Sequence, residues 1–213
     1  LVIKTYLNVM HDFLEQIPLE KQAQHIGSQI SQIKNKVFLP ETKESKAKIA
    51  LICDLLPSEN ISWLYDQADL FALMTRGEGF GLTVAEAIDK KKPVMVPKAS
   101  AYLDFTNEES SFYVDGFWEP CHSSPELHSD LDWFEPSVNS ARLQLRKAYN
   151  LWKKGKLSQF GQEAQDWLNS CGFSEEKVGK DFYSILLEEC KELQPVAQDM
   201  FPNKSESVFK EKI

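Results

Sequence analysis

Two glutamates flank a glycine-rich turn in the segment TRGEGFGLTVAEAI, which covers residues 75–88. Glu78 lies within the turn and Glu86 lies beyond it, with seven residues between them. Carboxylate oxygens accept hydrogen bonds, so each glutamate can bind the hydroxyl groups of a ligand. Gly77, Gly79 and Gly81 let the backbone turn sharply and approach a ligand closely, at positions where a Cβ would obstruct it. The spacing therefore predicts a ligand that is held at two separated ends.

The segment after the turn predicts a helix that begins at about Leu82. A helix N-terminus presents unpaired N–H groups and the positive end of the helix dipole, and together these suit a diphosphate. Thr83 adds a hydroxyl donor in the first turn, and Glu86 can accept hydrogen bonds from a vicinal diol such as ribose. Glu78, on the loop, would then lie near a sugar. A structural turn followed by a solvated Glu86 is the alternative interpretation.

Alternating apolar strands and helices must position this turn. Parallel strands are predicted near residues 1–7, 49–55, 69–75 and 92–97. A helix interrupted at Pro18 and a polar loop at 39–48 connect the first two strands, and a helix capped by Ser58 connects the second to the third. Beyond residue 100 the sequence predicts a small strand in SSFYVDGF, an irregular loop in WEPCHSSPELHSDLDWFEPS, and three helices. This order predicts an α/β fold with a Rossmann-like parallel sheet flanked by helices and a helical C-terminal third. Ligands bind such sheets at the carboxyl ends of the strands.

Composition excludes several classes of protein. The 213 residues carry a net charge of −8 and 42% hydrophobic residues, which indicates a globular protein and argues against a nucleic-acid binder. The four cysteines never form a CxxC pair, so the sequence predicts neither a zinc site nor a dense disulfide framework and favours a reducing, cytoplasmic location. There is no apolar run of transmembrane length. A buried strand at residue 1 suggests a fragment of a longer chain.

The run ISWLYDQADLFALMTRGEGFGLTVAEAIDKKKPVMV resembles the nucleotide-sugar half of retaining glycosyltransferases of family four. The resemblance includes Asp69, the GEGFGL turn, the AEA helix and the PV strand, and a weaker likeness extends over residues 1–189. Such enzymes have the GT-B fold, with two Rossmann-like domains and an E-x7-E motif at this point. The resemblance thus implies that residues 1–190 form the donor-binding domain, without the N-terminal acceptor domain, and that residues 191–213 form a flexible tail.

The resemblance also implies roles for individual residues. Glu78 would contact the transferred sugar as the catalytic residue, and Glu86 would contact the ribose. Neither a metal nor another cofactor is expected, because such enzymes use the helix dipole and basic residues instead. The peptide nitrogens that would face the sugar and the diphosphate are those of Gly79, Phe80, Gly81 and Leu82.

The chain departs from the family in two ways. The basic Arg and Lys pair that usually binds the diphosphate is absent, and DKKKPV has lysines where the family tends to place a glycine. The implied function is transfer of a sugar from a nucleoside diphosphate sugar to an acceptor hydroxyl, with the acceptor domain supplied by the same or another chain. The alternative is a non-catalytic module that binds a nucleotide sugar or a partner protein, and a sugar-nucleotide epimerase is a third interpretation. The expected location is cytoplasmic or peripheral at a membrane.

Other patterns favour structural interpretations. Asp130 and Asp132 match a metal-binding DxD, but they follow a predicted loop rather than a strand. His11 and Glu15 share a helical spacing, although two ligands do not make a zinc site. Three tryptophans in helical patterns are predicted to lie in the core: Trp63, Trp152 and Trp167. Two more, Trp118 and Trp133, either stabilise the irregular loop or line a sugar or partner surface.

Overall fold

A computed structural model of the chain describes residues 2–4, 19–37, 49–53, 55–121 and 131–189. The predicted tail at 191–213, the loop at 39–48, the break at Pro18, and the residues His11, Glu15 and Asp130 lie outside the described residues. The chain divides into two compact units, residues 1–62 and residues 63–213.

The first unit contains two short parallel strands. Strand β1 (Val2–Lys4) pairs in parallel with β2 (Ala50–Ile52), so that Val2 lies opposite Ala50. Helix α1 (Leu19–Val37) lies between them in the chain, as expected for parallel strands, which need a long crossover connection. Helix α2 (Ser58–Gln67) follows β2 and begins the passage into the second unit.

The second unit is built on a three-stranded parallel sheet in the order β3-β4-β5. The strands are β3 (Phe71–Ala72), β4 (Val94–Pro97) and β5 (Ser111–Val114), and helix α3 (Leu82–Asp89) connects the first two. The predicted strands at 69–75 and 92–97 are therefore present but shorter, and SSFYVDGF supplies the third strand of the sheet. Because all three strands are parallel, their carboxyl ends lie at the same edge.

The core of this unit lies on both faces of β4. All four residues of the strand are buried, which is typical of a central parallel strand covered by helices. From α3, Val84, Ala87 and Ile88 are completely buried. On the side of β5, a second group joins the sheet to the C-terminal helices: Met95, Phe112, Val114, Ala148 and Leu157.

The last third of the described chain is helical, as predicted. It contains α4 (Val138–Lys153), α5 (Leu157–Ser170) and α6 (Glu175–Glu189). Helix α5 packs closely on the turn after α3. The approach is close enough to require glycine at position 161, where an added Cβ would clash with the Lys91 carbonyl oxygen. In the described part of the chain, no helix is long and apolar enough to cross a membrane.

The prediction that three tryptophans lie in the core is wrong. Trp63, Trp152 and Trp167 are 60%, 51% and 43% exposed. The indole of Trp152 stacks on Tyr149 at the surface and donates a hydrogen bond to Asp69 Oδ1 at 3.2 Å. The prediction rested on helical spacing alone. It failed because the interior of the unit is filled mainly by smaller aliphatic residues and by phenylalanines.

The segment predicted as an irregular loop contains an antiparallel pair of strands. Strand β6 (Gly116–Pro120) pairs with β7 (Asp132–Pro136), so that Trp118 lies opposite Phe134. Their rings pack edge to face at 5.5 Å. Cross-strand aromatic contacts of this kind stabilise a short ribbon despite the prolines at its ends, and these prolines hid the strands in the sequence.

Candidate functional site

The glycine turn lies at the carboxyl edge of the three-stranded sheet. It follows β3 and leads into α3, while the segment after β4, residues 98–104, reaches the same edge. The structure brings Glu78, the peptide groups of residues 79–82, Thr83 and Glu86 into one continuous stretch of loop and helix. This is the position at which parallel sheets bind ligands.

The glycines of the turn differ in what the fold requires of them. Gly81 caps α3 with a left-handed backbone, φ +87°, and a Cβ there would lie 3.0 Å from Tyr102 Cδ1. By contrast, neither Gly77 nor Gly79 has a positive φ, and a Cβ at either would meet nothing within 4 Å. The fold therefore needs glycine at 81 but leaves open space above 77 and 79.

The N-terminus of α3 presents a row of peptide donors. In the part of the chain that the structure describes, no hydrogen bond is donated by the peptide nitrogens of Gly79, Phe80, Gly81 or Leu82. Further along the helix, the Val84 and Ala85 N–H groups donate to the Gly81 carbonyl oxygen. Unpaired N–H groups at a helix N-terminus carry partial positive charge, so this row can bind an anion.

Glu86 is held by a tyrosine from α2. The Tyr65 hydroxyl donates to Glu86 Oε2 at 3.0 Å and lies 3.2 Å from the Thr83 carbonyl oxygen. Burial, followed by the hydrogen bond and the charge of Glu86, raises the pKa of Tyr65 above its ordinary value. The hydroxyl therefore stays protonated and remains a donor. The sequence predicts Tyr65 only as part of the apolar face of α2 and misses its contact with Glu86. The one signal of this role is that tyrosine brings a hydroxyl group to an otherwise apolar face.

Glu78 is held through its backbone instead. Its N–H donates to Ser100 Oγ at 2.7 Å, and Ser100 Oγ donates to its carbonyl oxygen at 2.8 Å. In the described part of the chain the Glu78 carboxylate has no hydrogen bond or ion pair. Burial, and then the charge of Glu78, raise the pKa of Tyr102, whose buried hydroxyl has no hydrogen-bond partner among the described residues. The carboxylate thus remains available for a ligand.

The antiparallel ribbon β6–β7 is attached to the same loop. Arg76 forms an ion pair with Glu135 and lies over the Trp133 ring, 4.4 Å from its centroid. The Phe134 N–H also donates to the Arg76 carbonyl oxygen at 3.3 Å. Trp133 therefore stabilises this region, which is one of the two interpretations offered by the sequence for Trp118 and Trp133. Trp118, by contrast, is largely exposed beside Phe134.

Two basic residues near this edge are already paired with carboxylates. Lys98 follows β4 and pairs with Glu108, which raises the pKa of Lys98, and Arg76 pairs with Glu135. Among the described residues, no group of three or more His, Cys, Asp or Glu side chains is placed to hold a metal ion. The unpaired peptide donors of the turn are a further source of positive charge for a ligand here.

Comparison with known proteins finds likeness among solved structures. No family model and no curated protein matches the chain. Among solved structures, sucrose-phosphate synthase from Thermosynechococcus elongatus is 12% identical, covering 89% of this chain and 38% of that one, with a TM-score of 0.55. The C-terminal domain of a glycosyl transferase group 1 family protein, LpcC, from Francisella tularensis is 21% identical, covering 70% and 63%, with a TM-score of 0.46. The catalytic domain of starch synthase IV from Arabidopsis thaliana, bound to ADP and acarbose, is 16% identical, covering 74% and 30%, with a TM-score of 0.46.

At these identities the comparisons show the fold. The likeness to sucrose-phosphate synthase extends over most of the chain and matches a Rossmann-like domain of the GT-B type. The predicted fold class, parallel sheets flanked by helices with a helical C-terminal third, is confirmed. This chain spans less than two thirds of the length of each of the three structures.

Proposed function

We propose that this chain is the donor-binding domain of a retaining glycosyltransferase, which moves a sugar from a nucleoside diphosphate sugar to an acceptor hydroxyl. One observation carries the proposal: a row of unpaired peptide donors lies between two carboxylates, Glu78 and Glu86, at the carboxyl edge of a parallel sheet. A nucleoside diphosphate sugar has the same order of groups, with hydroxyls at both ends and a diphosphate between them.

The diphosphate would bind at the N-terminus of α3. The peptide nitrogens of residues 79–82 supply donors there, the helix dipole favours negative charge, and the Thr83 hydroxyl is exposed beside them. Gly79 leaves space for the close approach of phosphate oxygens, since no protein atom lies within 4 Å of a Cβ built there. Backbone donors would replace a metal as the partner of the diphosphate.

The ribose would bind to Glu86. Tyr65 occupies its Oε2, which leaves Oε1 and the remaining acceptor capacity for the hydroxyls of a vicinal diol. Because the carboxylate is fixed by Tyr65, little side-chain entropy is lost when the ribose binds.

Glu78 would act on the transferred sugar. As the bond between the anomeric carbon and the diphosphate breaks, positive charge develops on the sugar, and a carboxylate held nearby stabilises and orients that state. Its half-buried position on a loop, with the backbone fixed by Ser100, suits a group that contacts a substrate rather than the protein core.

The whole enzyme would contain a second, acceptor-binding domain from the same or another chain. We propose residues 1–190 as the donor-binding domain, in a cytoplasmic enzyme or one that is peripheral at a membrane. The fold shared with sucrose-phosphate synthase supports a role in sugar transfer.

A non-catalytic module is the second candidate. The pairing of Arg76 with Glu135 and of Lys98 with Glu108 favours it, since cations held by carboxylates add little to diphosphate binding. Such a module would bind the nucleotide sugar but would not turn it over when the acceptor domain is present.

Isothermal titration of the chain with uridine, adenosine and guanosine diphosphates and their glucose or mannose conjugates tests the proposal. We expect one nucleotide series to bind at one site, with an affinity that is unchanged by EDTA. Absence of binding by every member would overturn the proposal. Binding without transfer in the full-length protein would select the non-catalytic module.

A further inference from the structure

Ser100 has a backbone conformation that normally belongs to glycine. Its φ is +79° and its ψ is 175°, and Lys91 is the one other non-glycine residue in the described part of the chain with a positive φ. A side chain in this region of φ and ψ costs about 1–3 kcal/mol and persists only where surrounding contacts impose it. The Ser100 carbonyl oxygen accepts a hydrogen bond from the Leu103 N–H at 3.2 Å, and its other hydrogen bonds in the described part of the chain join it to the glycine turn.

Those contacts are made by the Ser100 hydroxyl. It accepts a hydrogen bond from the Glu78 N–H at 2.7 Å and donates one to the Glu78 carbonyl oxygen at 2.8 Å. Both peptide groups that flank the Glu78 Cα are thus fixed by one side chain, which sets the direction in which the Glu78 side chain leaves the backbone.

The residues after Ser100 support the other end of the turn. The segment enters a short 3-10 helix, Ala101–Asp104, and the Tyr102 ring lies against the Cα of Gly81. Residues 100–102 therefore hold Glu78 and Gly81 together, while Glu86 is held separately by Tyr65. The two ends of the candidate site have independent supports.

We propose that Ser100 is a positioning residue that aims the Glu78 carboxylate at the transferred sugar, a role that rests on the proposed function. Its contacts reach the sugar end of the site and not Glu86. Loss of the hydroxyl should therefore weaken the binding of the sugar conjugate more than that of the nucleoside diphosphate, which loses the fixed position of the Gly79 N–H but keeps the donors of residues 80–82.

Two substitutions separate positioning from simple support of the fold. Ser100→Ala removes the hydroxyl but keeps a Cβ in the glycine region, whereas Ser100→Gly removes the hydroxyl and also relieves the backbone strain. The glycine variant should melt a few degrees above the alanine variant, because about 1 kcal/mol shifts the melting temperature of a domain of this size by about 2–4 °C. If Ser100 positions Glu78, both variants should lose binding of the sugar conjugate equally, whatever their stability.

The experiment compares the wild-type chain, Ser100→Ala, Ser100→Gly and Tyr65→Phe by thermal melting and by titration with the same nucleoside diphosphates and sugar conjugates. Both Ser100 variants should lose about tenfold in affinity for the sugar conjugate, the equivalent of one hydrogen bond from the sugar to a displaced Glu78 carboxylate, and no more than about threefold for the diphosphate. Tyr65→Phe is the matched control at the ribose end and should weaken both ligands to the same extent.

Three outcomes would count against the inference. If both Ser100 variants keep wild-type affinity for the sugar conjugate, Ser100 positions nothing. If Ser100→Gly recovers that affinity and Ser100→Ala does not, the residue serves the fold alone. If the wild-type chain binds none of the ligands, the proposed function is overturned, and the inference is overturned with it.

Discussion

Glu78 and Glu86 are held in opposite ways, although they flank the same turn. The fold fixes Glu78 through its two peptide groups, by Ser100, and leaves its carboxylate without a protein partner in the described part of the chain. It fixes Glu86 through the carboxylate itself, by Tyr65. A fixed carboxylate suits a permanent binding contact, whereas a carboxylate on a fixed backbone can change its contacts as a substrate reacts.

The largest effect should come from removing Glu78. In the full-length enzyme, Glu78→Ala should reduce turnover at least about a hundredfold, the usual effect of losing one preorganised electrostatic group, with donor affinity less affected. The melting temperature should barely change, because the carboxylate contributes no described contact to the fold. Steady-state kinetics and a melting curve of the same preparation provide the measurement.

One result would contradict the idea that Glu78, unlike Glu86, is free to act on a substrate. If Glu78→Ala unfolds while its residual folded fraction keeps normal turnover, Glu78 is a structural residue of the turn. Glu78→Gln is the matched variant, since it keeps the size of the side chain and should lose turnover without loss of stability.

Glu86→Gln tests the other carboxylate. The substitution keeps the shape and an oxygen that can accept from Tyr65, but it removes the charge from the hydrogen bonds to the ribose. The affinity for a nucleoside diphosphate should fall by about 1.5–3 kcal/mol, the range for hydrogen bonds to charged groups. Titration calorimetry measures this directly, and an unchanged affinity would reject the ribose contact.

Substitution of the glycines compares the packed and open sides of the turn. Gly81→Ala should lower the free energy of unfolding by about 1–2 kcal/mol, because it puts a Cβ into a left-handed conformation against Tyr102. Gly79→Ala should change stability by less than about 0.5 kcal/mol, since its Cβ meets open space. Its methyl group would instead occupy the space proposed for the diphosphate and weaken binding. Chemical denaturation and titration of both variants would show whether these effects separate, and equal destabilisation would contradict the comparison.

Sequence patterns predict the parallel strands and the helices well because both depend on local, periodic burial. The apolar run that contains β4 and the amphipathic pattern of α5 are visible from residue types alone. The antiparallel ribbon is not, because its strands depend on contacts with distant residues such as the pairing of Arg76 with Glu135.

The candidate site divides in the same way. The turn and its glutamates lie within one short segment, so their spacing can be read directly from the sequence. Tyr65 and Ser100 reach them from 21 and 22 residues away, and only the folded chain brings these hydroxyls to the turn. The strained conformation of Ser100 has no sequence signal, since serine is common in loops of every conformation.

Tyr65→Phe should give the smallest effect on binding. The ring and its packing against Phe71, at 5.7 Å between centroids, are retained, and the hydrogen bonds that the hydroxyl donates to Glu86 Oε2 and to the Thr83 carbonyl oxygen are lost. We expect the affinity for a nucleoside diphosphate to fall about two- to tenfold, the equivalent of one net hydrogen bond. The loss should be smaller in a protein that already carries Glu86→Gln, because the two residues act through one contact.

The same variant has a second consequence, at alkaline pH. Burial, then the hydrogen bond and charge of Glu86, raise the pKa of Tyr65 above its ordinary value of 10.0, so the folded state holds this proton more tightly than the unfolded state. The resulting stability is fully present below about pH 10 and is lost as the pH rises further, when the unfolded chain deprotonates first. Tyr65→Phe should therefore lose less stability than the wild type between pH 9 and pH 11, in melting curves recorded across that range. Because Tyr102 titrates in both proteins, it does not affect the difference. Parallel loss of stability in the two proteins would mean that neither burial nor Glu86 raises the pKa of Tyr65 in the folded state, which would contradict the buried hydrogen bond to Glu86.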